Sequence, residues 1–135
     1  MVTQIFVNLA VADLPRSKAF WQKLGFAFDP KFTNDEGACL VLGERIYAML
    51  LVERFFRTFT SKTLVDATRS VEGLYALEVE SRARVDELVR LAVAAGGKAH
   101  RDPQDHGFMY AHGFEDLDGH IWELLAMIPG AEPKA

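Results

Sequence analysis

Cysteine occurs once, at Cys39, in a chain of 135 residues. That excludes an intramolecular disulfide and a zinc cage built from cysteines. Long apolar runs are missing too. The longest, YAMLLV at 47–52, falls far short of the roughly 18 residues a membrane helix needs. Basic clusters are absent: 15 Lys and Arg against 19 Asp and Glu leave a net charge of −4, with no footprint for nucleic acid. The chain opens without a basic leader, and Asp13 and Pro15 break its first apolar stretch, so no signal peptide is expected. No glycine-rich loop starts a helix, since Gly96-Gly97 ends one, and no serine nucleophile elbow occurs. The expectation is a cytoplasmic protein with neither nucleic-acid nor membrane partners.

What is present suits one globular domain over 1–135. Half the residues are hydrophobic and a quarter charged, with ten Phe, three Tyr and two Trp to fill a core. Residues 4–12 alternate, with Ile5, Val7, Leu9 and Val11 on one face and Phe6, Asn8 and Ala10 on the other, which predicts a strand. Asp13 caps a helix carrying Leu14, Phe20, Trp21 and Leu24, and Gly25 stops it. Phe26 and Phe28 predict a short strand. GACLVLG (37–43) and IYAMLLVE (46–53) predict a hairpin through Gly43-Glu44-Arg45. Residues 54–72 are irregular, with a short helical pattern near 61–68.

The scheme then restarts. GLYALEVE alternates, and Ser81 caps a helix with Val85, Leu88, Val89, Ala92 and Val93 on its apolar stripe. Strands follow near 98–101, 107–116 and 120–128, the last two joined through Asp118-Gly119, and the tail 129–135 is expected to fray. The two caps lie 68 residues apart. The order therefore predicts an α+β fold of two βαβββ modules, about 4–53 and 73–128, related by a pseudo-twofold axis and enclosing a cleft between curved mixed sheets.

Three segments carry a family likeness: VNLAVADLPRSKAFWQKLGF (7–26), AAGGKAHRDP (94–103) and FEDLDGHIWELL (114–125). Together with the element order they make the chain resemble the vicinal-oxygen-chelate superfamily, which includes glyoxalase I, extradiol dioxygenases and the bleomycin- and fosfomycin-resistance proteins. FTSKTLVDA (59–67), GFMY (107–110) and DGHIWE (118–123) are similar to a glyoxalase-related bacterial branch of it. The resemblance implies a frequent homodimer and, in metal-dependent members, four ligand positions. Here these fall on Phe6, among Met49, Leu50 and Leu51, on Leu74 and on Glu123. Only Glu123 brings a useful donor, so neither a divalent metal nor another cofactor is expected.

The candidate site follows from faces. Glu123 shares a strand face with Ile121, Leu125 and Met127, a setting that raises a carboxyl pKa unless the group is paired. It reads as a general base, as a ligand anchor, or as a carboxylate satisfied by a buried partner. Of the four histidines in the last third, none has metal-ligand spacing. His112, grouped with Phe108, Tyr110 and Phe114, is the best pocket candidate. Phe6 and Asn8 from the first strand, Met49 from the hairpin, and Leu74 and Ala76 from the second module's first strand are expected to face the cleft. Phe55, Phe56 and Phe59 either cover it or anchor their own loop. Trp122 and Cys39 read as structural. The expected function is metal-free binding of a small, partly aromatic molecule. The alternative is a lyase, isomerase or dioxygenase-type enzyme that uses Glu123 with an atypical metal or as general base. A protein-interaction module with a vestigial cleft is the third reading.

Overall fold

The structure, a computed structural model, describes residues 1–131; the last four residues of the tail expected to fray lie outside the described residues. The chain divides into two compact units at Val65/Asp66, inside the irregular segment.

The first unit begins with β1 (Ile5–Val11) and α1 (Leu14–Lys23). Asp13 is extended, and its carboxylate accepts from the Arg16 backbone N–H at 3.1 Å, satisfying an amide that the first helical turn leaves without a partner. Strands β2 (Ala27–Asp29), β3 (Gly37–Gly43) and β4 (Ile46–Val52) complete a sheet of order β1-β4-β3-β2. The β1–β4 pair is parallel and the others antiparallel. Alternation divides this sheet into two faces. Leu9, Val11, Ala38, Leu40, Ala48 and Leu50 are all at most 4% exposed and pack with Leu14, Phe20, Trp21 and Leu24 of the α1 segment. Burying each of the leucine, valine and phenylalanine side chains among them contributes about 1.5–3 kcal/mol. Phe6, Asn8, Tyr47 and Met49 project from the opposite face.

The helical pattern near 61–68 does not form a helix. Instead a short helix, α2 (Glu53–Phe56), and a 3₁₀ turn (Arg57–Phe59) follow β4 directly. Local side-chain bonds hold the later residues in turns: Thr60 Oγ1 accepts from Lys62 N–H, and Asp66 accepts from both the backbone and the hydroxyl of Thr68. Such bonds compete with helical pairing.

The second unit repeats the first. Its elements are β5 (Leu74–Glu78), α3 (Arg82–Ala94), β6 (Lys98–Ala99), an unforeseen β7 (Gln104–Asp105), β8 (Met109–Glu115) and β9 (Ile121–Met127). Ser81 Oγ accepts from Arg84 N–H, the counterpart of the Asp13 cap. The sheet order is β5-β9-β8-β6, with β7 also on β8, and β5–β9 is the parallel pair. Val85, Leu88, Val89 and Ala92 of α3 are buried along with Tyr110, Phe114, Trp122, Leu124 and Ala126 of the sheet. Tyr110 fixes the helix further: its hydroxyl donates to Asp86 at 2.6 Å, and Arg82 lies 4.2 Å over its ring while pairing with Asp105 at 2.9 Å.

The β8–β9 turn rests on Asp116. Its carboxylate, 8% exposed, accepts from the backbone N–H groups of Asp118 and His120 and from the Trp122 indole, each at 3.0 Å. Burial pushes this carboxyl above its ordinary value, opposed by His120 and the indole donor. Gly119 in the same turn has φ +89°, and a Cβ there would meet the Ala67 carbonyl oxygen at 2.6 Å, so no side chain fits.

Candidate functional site

The candidate residues divide between the two units. In the first, Asn8 pairs in register with Met49, and Met49 with Cys39, so the three occupy one row of the open face. Phe6 and Tyr47 form the next row, their rings stacked 4.8 Å apart at 12°. Tyr47 has no place in the sequence reading, although its alternation with Met49 carries the signal. The Asn8 side chain donates to the Phe6 carbonyl at 3.1 Å, which ties it to its own strand. Cys39 is fully buried, and burial pushes its thiol pKa up, the opposite of activation. Phe55 and Phe59 stack edge-to-face at 5.2 Å, Phe55 in the short helix that packs against β1 and β4 and Phe59 in the turn after it; Phe55 and Phe56 are half-buried and Phe59 is exposed.

In the second unit the register places Ala76 beside Glu123 and Glu123 beside Gly113. The His100 N–H donates to the Gly113 carbonyl at 3.0 Å, which extends the row onto the edge next to β6. The row therefore runs Ala76, Glu123, Gly113, His100. Leu74 stands in the adjoining row beside Ile121, on the same open face and 61% exposed.

Tyr110 and His112 do not join this row, which corrects the expectation that they share a space with Glu123. The β8–β9 register pairs Gly113 with Glu123, so odd-numbered residues of β8 lie on the open face. Tyr110, His112 and Phe114 lie opposite Ala126, Leu124 and Trp122, under α3. Tyr110 is consumed by its bonds to the helix. Phe108 precedes β8, its carbonyl accepting from Ile128 N–H, and its ring lies 6.5 Å from His106. Trp122 is 1% exposed, as expected of a structural residue.

Glu123 is thus the centre of the second unit's open face. Its side chain is 13% exposed. One carboxylate oxygen lies 3.8 Å from His100 Nε2, the other 3.9 Å from an Arg101 guanidinium nitrogen. His100 Nδ1 lies 4.0 Å from Glu115 on its other side. These are ion-pair distances, longer than hydrogen bonds. Among the described residues no hydrogen bond reaches the Glu123 carboxylate. Sequence spacing could not show this cluster, because its members come from β8, β9 and the residues that follow β6.

Gly113 makes the cluster geometrically possible. Residues two strands apart are separated by roughly 9.5 Å along the row. Glu123 spans that gap by leaning over Gly113: a Cβ there would sit 3.0 Å from its Oε2.

The divalent metal that the resemblance implies does not suit these residues. Phe6, Met49 and Leu74 offer no ligand for a divalent ion, and His100 presents different ring nitrogens to Glu115 and Glu123, so one ion cannot take all three. Among the described residues no group of three His, Cys, Asp or Glu side chains is arranged to hold a metal.

The family model for the Glyoxalase/Bleomycin resistance protein/Dioxygenase superfamily matches residues 3–124. The chain belongs to that superfamily. Among solved structures, this superfamily member is similar to a hypothetical protein from S. aureus, with 28% identity, 93% of this chain and 94% of that one covered, and a TM-score of 0.79. It shares its fold with a glyoxalase-related enzyme from Fulvimarina pelagi (22% identity, 98% and 96% covered, TM-score 0.77). The same holds for a genomically encoded fosfomycin resistance protein from Listeria monocytogenes (18% identity, 96% and 97% covered, TM-score 0.68). Among curated proteins, none matches. Among the described residues, no helix of this glyoxalase-superfamily chain is long and apolar enough to cross a membrane.

Proposed function

We propose that this protein binds a small, partly aromatic molecule on the open face of its second unit, without the metal of its superfamily. One observation carries the reading. Glu123 is mostly buried, lacks a hydrogen bond among the described residues, and is flanked in its row on β5 by Ala76, whose small side chain leaves room on that side. A ligand that supplies donors to these oxygens takes the place of the water that otherwise solvates them. Leu74, Ile121 and Leu125 give the apolar surroundings usual for such sites. The protein acts in this reading as a homodimer in the cytoplasm. Its apolar edge strands support the dimer: β1 and β5 each lie at an edge of their sheet, with Ile5 52%, Phe6 45% and Leu74 61% exposed.

The probe is 2-naphthol, which has an aromatic body and one polar edge. Titrated into chelator-treated, isotope-labelled protein, it is expected to shift the amide resonances of Ala76, Gly113 and Glu123, and Leu74→Trp is expected to abolish those shifts. Shifts that require added Zn²⁺ or Mn²⁺, or that fall elsewhere, overturn the reading. The proximity of His100 to Glu123 favours a second reading, a proton-transfer enzyme with Glu123 as base. Turnover of the methylglyoxal–glutathione adduct above background, lost in Glu123→Gln, is the result that would establish it.

A further inference from the structure

The charges around Glu123 restrict the kind of molecule this face accepts, if it is a binding face as proposed above. The carboxylate already has a cation, Arg101, at 3.9 Å. Glu115 stands beside His100 and is paired in register with Lys98. Counting Glu115 and Glu123 against Arg101 and Lys98, the formal charges cancel when His100 is neutral. Glu78, the remaining charged residue of the face on β5, lies in the row of Leu125 and is exposed to water. A cationic ligand therefore finds its counter-charge already balanced, and would meet Arg101 as a like charge. An anionic ligand meets two carboxylates.

Hydrogen bonding is not balanced in the same way. An ionised carboxylate only accepts, and both Glu123 oxygens sit beyond bonding distance from His100 and Arg101. The surface is low on the β5 side, at Ala76, while the Glu123 carboxylate itself covers Gly113 on the β8 side. A planar molecule can lie against Ala76 and donate an N–H to a Glu123 oxygen, a charge-assisted bond that a neutral amide or amino group can make.

We propose that the row Ala76–Glu123–Gly113–His100 binds neutral planar hydrogen-bond donors of the aromatic carboxamide or amino-heteroarene class, with Arg101 as the residue that excludes cations. The test uses three compounds of one shape: 2-naphthamide, 2-naphthamidine and 2-naphthoate. Each is titrated into the full-length protein while the amide resonances of Ala76, Gly113 and Glu123 are followed. The neutral amide is expected to bind at least about fivefold more tightly than either charged analogue. Glu123→Gln, which keeps the volume and loses the charge, is expected to weaken the amide about fivefold. Arg101→Gln is expected to reverse the order, raising amidine affinity about fivefold or more above the amide.

Tightest binding of the amidine or the naphthoate by the unaltered protein overturns the inference and leaves the binding face standing. An unchanged order in Arg101→Gln likewise overturns the role given to Arg101. If none of the three compounds moves those resonances, the inference and the function proposed above fall together.

Discussion

The two units build the same sheet and finish it differently. Asn8–Met49–Cys39 in the first unit and Ala76–Glu123–Gly113 in the second are equivalent rows, on the edge strand, the strand paired parallel to it, and the next one across. In the first unit the row is closed. Met49 fills its centre, Cys39 is fully buried, Asn8 bonds to its own strand, and Phe6 stacks on Tyr47 in the row beside it. In the second unit the flanks are small and the centre is a carboxylate that lies near His100 and Arg101. The backbone repeat fixes where a functional side chain can stand. Whether anything happens there is decided by the side chain and the bulk of its two lateral neighbours.

The largest effect expected separates the two faces within one sheet. Leu124→Ala removes a side chain 1% exposed under α3 and should cost about 2–5 kcal/mol, whereas Leu74→Ala, on the open face, should change stability by under about 0.5 kcal/mol. Urea denaturation of both variants checks this; equal losses would mean that the face of Leu74 is covered in the folded protein.

The next test exchanges the centres of the equivalent rows. Met49→Glu puts a carboxylate between Asn8 and Cys39, where no cation stands in the row, and should destabilise the protein by about 1–3 kcal/mol. Glu123→Met should be nearly neutral, because hydrophobic replacement of a buried charge also relieves its desolvation. Comparable losses from the two exchanges would show that the rows are alike after all.

The smallest effect is one of pH, and it sets two carboxylates of the second unit against each other. Burial raises the Asp116 pKa in the folded state. Its contribution is full below the unfolded value of about 3.9 and is lost as pH rises through the folded value. Asp105 has the opposite sign. The Gly107 N–H, then Arg82, hold its carboxyl below the ordinary value, so its contribution is present above about 3.9 and is lost as pH falls through the lowered folded value. Denaturation curves at several pH values should show Asp116→Asn lessening the decline of stability from acid towards neutral pH, and Asp105→Asn lessening the decline on acidification. The same slope change in both variants would contradict these assignments.

The helices, their caps and the repeat were legible because each is written within a few consecutive residues: Asp13 with Arg16, Ser81 with Arg84, and an apolar stripe between cap and glycine. The faces of β1 and β5 were legible for the same reason, since alternation needs only one strand. The surroundings of Glu123 were not. Assigning Tyr110 and His112 to its face requires the β8–β9 register, which the Asp116 turn sets and which no single strand records. His100 was out of reach because it meets Glu123 across an intervening strand, over a residue whose contribution is the side chain it lacks. The helix expected near 61–68 failed through chemistry that was visible but underweighted, the hydroxyls and carboxylate that bond back to their own loop.

The two tryptophans lie one in each unit, Trp21 on α1 and Trp122 on β9, and both are 1% exposed. Their surroundings differ. Trp21 meets Phe20 and Phe26 edge-on, whereas Trp122 tilts against Tyr75 and donates its indole N–H to a buried carboxylate. Intrinsic fluorescence therefore comes from two emitters that report on separate halves of the chain. With Trp122→Phe the emission belongs to the first half alone, and with Trp21→Phe to the second. Melting the two variants side by side turns the cooperativity of the molecule into an optical measurement that needs no added dye.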